Sequence, residues 1–135
     1  MNKFRSIEET LAHKICSLYQ SLVGHAPDLV TCQFLNQEQL VLIFQNAISP
    51  VEQLLFRMEQ QPLAKQVRSQ IDLTFHEQLI GLVEKSTQRS IIDLLSESKI
   101  ETGRKSIILV LKPAVLASST YAGNGSSSEK ASEKG

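Results

Sequence analysis

Leu40-Val41-Leu42-Ile43-Phe44 is a run of five apolar residues that follows the polar segment Asn36-Gln37-Glu38-Gln39. A strand lying on solvent alternates apolar and polar residues. A strand that is apolar on both faces needs cover from two sides. The cover is either a layer of helices on each face or a second copy of the protein. The preceding segment, Asp28 to Leu35, does alternate, with Val30, Cys32 and Phe34 on one face and Thr31 and Gln33 on the other. The two segments therefore read as a hairpin.

A helix is expected over residues 7–23, where Ile7, Leu11, Ile15, Leu18 and Leu22 recur at steps of three and four. Ser6 and Glu9 have capping-box spacing at its start. Gly24 and Pro27 mark its end, one able to take the left-handed conformation and the other unable to continue the helix. After the hairpin, Ser49-Pro50-Val51-Glu52 sets out an N-cap, a proline in the first turn and a carboxylate at the third helical position. This opens a short helix to about Met58. A break at Gln60-Gln61-Pro62 precedes a long helix over residues 63–84, with Leu63, Val67, Ile71, Phe75, Leu79, Leu82 and Val83 expected on its buried side. Lys65, Arg68, Asp72 and His76 line another side and read as a solvated charged face, with Arg68 and Asp72 an i,i+4 pair. Residues 90–98 and 106–111 form a second strand pair around a turn with Gly103 near its tip.

The expected fold is thus α+β, in the order α-β-β-α-α-β-β. Two hairpins make a four-stranded, mostly antiparallel sheet, packed with an N-terminal helix and a long central helix. Residues 1–112 form one domain. From residue 113 the chain turns to Ser, Gly, Ala, Lys and Glu without periodicity, and residues 113–135 read as a disordered tail.

The chemistry-bearing residues are few. Lys plus Arg and Asp plus Glu number 14 each, so no net field draws nucleic acid or an anionic membrane. Arg89, Arg104 and Lys105 make at most a small basic spot near the ends of the second hairpin. His13, Cys16, His25 and Cys32 are metal-ligand types, but not at the close paired spacing of structural zinc sites. The two cysteines suit small buried apolar residues better. No nucleophile elbow, phosphate-binding glycine loop or zinc-protease motif occurs. The placed carboxylates, Glu9 and Glu52, have capping roles. The chain is expected to be non-enzymatic, with no catalytic residue, metal or cofactor. No apolar run approaches the ~20 residues of a membrane span. A cytoplasmic location follows, with any membrane contact made through a partner.

Together, "LVGHAPDLVTCQFLNQEQLVLIFQNAISPVEQLL" and "VRSQIDLTFHEQLIGLVEKSTQRSIIDLLSESKIETGRKSIILVLKP" resemble the MpsC-like domain, named for a sodium-translocating, membrane-potential-generating system. The resemblance runs over about residues 6–112. Ile48-Ser49-Pro50-Val51-Glu52 matches the family's Leu-Thr-Pro-x-Glu helix opening with Ser for Thr, and Arg68 matches an arginine common early in the long helix. Where members commonly carry Gly after that helix, this chain has Thr87-Gln88. The resemblance implies a small accessory or regulatory protein beside a membrane ion or inorganic-carbon transport system, and assigns no catalytic residue.

The expected partners are therefore a second copy of the chain and a membrane transport or energy-coupling complex, without nucleic acid and without direct membrane insertion. The alternative is a small-ligand or anion-sensing domain, with Arg68, Asp72 and His76 as its binding surface. RNA binding is a third and weaker reading.

Overall fold

The computed structural model describes residues 3–113, with side chains from Ser6 onward. The elements are α1 (Lys3–Val23), β1 (Leu29–Asn36), β2 (Gln39–Gln45), α2 (Pro50–Arg57), α3 (Gln61–Thr87), β3 (Ile91–Lys99) and β4 (Arg104–Leu111). All seven expected elements are present in the expected order. The expected tail lies outside the described residues except for Pro113.

The four strands form one antiparallel sheet in the order β1-β2-β4-β3, so β2 and β4 are central and the two hairpins lie side by side. Its registers put Val30, Cys32 and Phe34 of β1 beside Leu40, Leu42 and Phe44 of β2. The same row continues through Leu109, Ile107 and Lys105 of β4 to Leu94, Ser96 and Ser98 of β3. Leu11, Ile15 and Tyr19 of α1 and Phe75, Leu79 and Val83 of α3 join this sheet face in a single core. Burying each such side chain contributes roughly 1.5–3 kcal/mol. Tyr19, Phe44 and Phe75 meet at its centre, with Phe75 edge-on to both other rings at 4.9 and 5.8 Å.

Both long helices therefore lie on one face of the sheet. β2 does not have the two-sided cover that its composition calls for: Leu40, Leu42 and Phe44 are buried, while Val41 and Ile43 face outward and stay half-exposed. The outward row also holds Ile108, Val110 and Leu95.

Several boundaries differ from expectation. α1 starts at Lys3, so Ser6 sits inside the helix rather than capping it. The buried stripe of α1 runs Leu11, Ile15, Tyr19, while Leu22 is 41% exposed. α3 takes Gln61 and Pro62 into its first turn and continues to Thr87, so the break before it is shorter than expected. A proline fits there because a first-turn N–H has no intrahelical partner.

Two glycine positions are set by backbone geometry. Gly24 ends α1 at φ 76° and donates its N–H to Gln20 O at 2.9 Å. Gly103, also at φ 76°, lies at the β3–β4 turn, where its carbonyl accepts from Ala47 N at 2.7 Å. A Cβ at Gly103 would stand 3.4 Å from the Asn46 Cα.

Candidate functional site

The start of α2 is built as its sequence indicates. Ser49 is the N-cap, with its hydroxyl facing Glu52 N, and the Glu52 carboxylate returns to accept from Ser49 N at 3.1 Å. Pro50 occupies the first turn. Glu52, however, has a second role that capping does not predict. Its side chain is fully buried, and both of its oxygens face Arg68, one accepting from Nε at 2.7 Å and the other from an amino nitrogen at 2.8 Å. This is a two-pronged carboxylate–guanidinium pair, the geometry that arginine's planar fork favours.

The α3 stripe that reads as solvated thus holds the centre of a buried network. Arg68 is 5% exposed, whereas Leu63, expected inside, is 44% exposed. Inward positions are Ala64, Arg68, Phe75, Leu79 and Val83. The face turns inward there because α2 supplies a carboxylate to meet the guanidinium. Arg68 also donates to the Tyr19 hydroxyl at 3.1 Å, the Ala47 carbonyl at 3.3 Å and Asp72 Oδ1 at 3.1 Å. Tyr19 in turn donates to the Ala47 carbonyl.

Asp72 Oδ1 links this cluster to a second cation. Lys105 of β4 lies on the inner sheet face at 1% exposure. Its ammonium donates to Asp72 Oδ1 and to Ser96 Oγ, both at 3.0 Å, and stands 3.4 Å from Ser98 Oγ. It also lies 3.2 Å from His76 Nε2. An ammonium carries only donors, so Nε2 must accept, which makes His76 neutral with its proton on Nδ1. Two cations, Arg68 and Lys105, thus face two carboxylates, Glu52 and Asp72. The balance lets charges remain where water is scarce.

The titration behaviour fits this arrangement. Burial opposes the Arg68 charge, but the hydrogen bond to Glu52 and the surrounding groups more than offset it and leave its pKa raised. Burial lowers Lys105, with Asp72 acting against the shift. His76 is lowered by burial first and then by the Lys105 charge, with Asp72 opposing. Burial raises the Tyr19 phenol, with the Arg68 charge opposing.

Of the expected surface, then, Arg68 is inside with its donors engaged, while Asp72 and His76 are half-buried beside it. An open cleft of about 390 Å³ between α3 and β3 reaches Arg68, Asp72, Ser96 and Ser98, with Lys65, Glu97 and Glu101 around its mouth. Tyr19, Lys105, Ser96 and Ser98 complete the network although their residue types do not announce it. Register is the available signal: Lys105 alternates in phase with Ile107, Leu109 and Leu111, and Ser96 and Ser98 with Leu94.

The basic spot does not form. Lys105 points into the core, and Arg89 lies at the other end of the hairpin, donating to the Lys112 and Gln37 carbonyls. The four metal-ligand types also separate. Cys32 is buried, where burial pushes its thiol up to about 12, and His25 pairs with the Asn46 carbonyl at 2.8 Å. His13 and Cys16 line a groove beside Val30. Among the described residues, no three potential ligands converge as a metal site would require.

The family model described as "Na+-translocating membrane potential-generating system (MpsC)" matches residues 3–113. The chain belongs to the MpsC family. No curated protein and no solved structure matches it. In this MpsC-family chain, the helix-opening Ser49-Pro50-Val51-Glu52 and Arg68 are two halves of one buried ion pair. The left-handed position after α3 is filled by Gln88 at φ 58°. Among the described residues, no helix is long and apolar enough to cross a membrane.

Proposed function

We propose that this chain is a non-enzymatic accessory module, acting by protein–protein contact beside a membrane ion-translocating system and paired with a second copy of itself. The observation that carries the reading is the outward face of the sheet. It presents Val41, Ile43, Ile108, Val110 and Leu95, and neither long helix covers it. A surface of this kind suits docking better than chemistry. The family description supplies the membrane link. The protein stays outside the bilayer and reaches it through its partner. Affinity capture from native cells tests this role. Co-purification of an ion-translocating membrane subunit supports it, and recovery of ribosomal or RNA-processing factors alone would refute it.

The cleft between α3 and β3 favours a second reading, a small-ligand sensor built on Asp72, His76 and the serine hydroxyls. The balanced charges of the network leave no spare cation inside for an anion. A thermal-shift screen with bicarbonate, phosphate and nucleotides separates the readings, since the docking module gives no shift with any of them.

A further inference from the structure

The proposed role leaves open how two copies meet, and the sheet offers two routes, by an edge or by a face. Strand addition needs free backbone donors along an edge. Here helix carboxylates take some of them. Phe34 N on β1 donates to Glu8 at 2.7 Å, and Ile91 N on β3 donates to Glu84 at 2.8 Å. Further along β3, Leu94 N donates to the Asp93 carboxylate at 2.8 Å. Both edges are also interrupted by register shifts, between Phe34 and Asn36 and between Ile91 and Asp93. The edges are built against pairing.

The outward face is built differently. Its central row runs Gln33, Val41, Ile108, Leu95, and the adjoining rows add Ile43 and Val110. Ile108 is 36% exposed and Leu95 55%. Charges sit at its β3 side, with Asp93 at one end, Lys99 and Arg104 at the other, and Glu97 beside Ser106 between them. Two acids and two bases cancel, so two identical faces do not repel. A two-fold axis that reverses strand direction sets the Asp93 end of one copy over the Lys99 end of the other. Four strands at ~4.8 Å spacing and ~3.3 Å rise span roughly 500 Å² of plane. With side-chain relief, that approaches the ~800 Å² per partner of a standard interface.

We infer that the outward faces of two copies pack against each other, sheet on sheet, about a two-fold axis across the strands, with Asp93 of each copy facing Lys99 of the other. This rests on the docking role proposed above and fixes how the second copy sits on the face. The pairing supplies the second cover that the Leu40–Phe44 run lacks, at the ~10 Å separation of stacked sheets.

Light scattering behind size-exclusion chromatography of the full chain tests it. The parent protein is expected at the mass of two chains. Ile108→Lys is expected at the mass of one, with a circular-dichroism spectrum and cooperative melt that show the fold intact. Asp93→Lys and Lys99→Asp should each raise the dimer dissociation constant at least tenfold, and the double exchange should recover most of the loss. A monomeric parent protein at micromolar concentration overturns the inference, as does an Ile108→Lys dimer. Failure of the double exchange to recover overturns the strand-reversing axis. Native-cell capture distinguishes this from failure of the docking role. A monomer that still captures a membrane subunit, and loses it on Ile108→Lys, keeps the docking face and removes only the second copy.

Discussion

α3 buries its two halves by different chemistry. Toward its C-terminus, Phe75, Leu79 and Val83 enter an apolar core shared with α1 and the sheet. Toward its N-terminus, Ala64 and Arg68 are the buried positions, and Arg68 meets Glu52, Tyr19 and Asp72. The apolar half gains from every methylene in proportion, so its losses should be graded. The charged half works only while complete, because a buried ion without its partner bears its full desolvation cost.

The largest expected effect comes from opening the charged half. Glu52→Gln keeps the shape but leaves the Arg68 guanidinium without its buried counter-charge, and should cost about 3–5 kcal/mol in urea unfolding. Conservative replacement should not rescue the other partner: Arg68→Lys loses the two-pronged contact and should remain well below the parent protein. If Glu52→Gln costs under 1 kcal/mol, water already reaches the pair and the contrast between the halves fails. The apolar half gives the matching measurement. Leu79→Ala should cost about 2–5 kcal/mol and Leu79→Met less than ~1.5, a gradation that the charged half should not reproduce.

Ser49→Ala probes the junction between local and tertiary structure. Loss of an N-cap alone costs about 1 kcal/mol. Ser49 Oγ also donates to Glu52 Oε2 at 2.7 Å, so the cap hydroxyl helps hold the carboxylate that faces Arg68. A measured loss near the cap value means the ion pair tolerates a missing donor. Coupling to Arg68→Met in a double-mutant cycle would show that cap and pair act as one unit.

What could be read in the sequence follows from the range of the interaction concerned. Turns and apolar periodicity are local, and they place every helix and strand to within a few residues; the capping pattern of Ser49, Pro50 and Glu52 marks the start of α2, while that of Ser6 and Glu9 falls inside α1. Family resemblance adds Arg68 as a notable position. Its burial was not legible, because an arginine row at helical spacing normally faces water. Only the approach of α2 brings Glu52 across to it, sixteen positions earlier in the chain. Lys105 reads as exposed for a related reason: a lysine beside a turn suggests solvent, while strand register turns it toward the core. The Leu40–Phe44 run was legible in composition but not in outcome, since one chain supplies cover for only one of its faces.

The smallest expected effect appears only against pH, and it asks whether the charged half responds to protons. His76 faces the Lys105 ammonium from β4 and Asp72 and Arg68 from α3, while Ser96 and Ser98 of β3 share the same ammonium. Its folded pKa lies below the ordinary 6.5, so below that pH the unfolded chain takes up a proton that the folded chain still refuses. Stability is therefore fully present above 6.5 and declines as pH falls toward the lowered folded value. His76→Gln keeps an acceptor for Lys105 but cannot take up that proton. Its unfolding free energy should run flatter than the parent's below pH 6.5, and should match the parent's dependence on the alkaline side, where the lowered Lys105 makes stability rise with pH. Parallel curves for the two proteins below pH 6.5 would place His76 in free exchange with solvent, and would restrict the proton-refusing interior to Lys105.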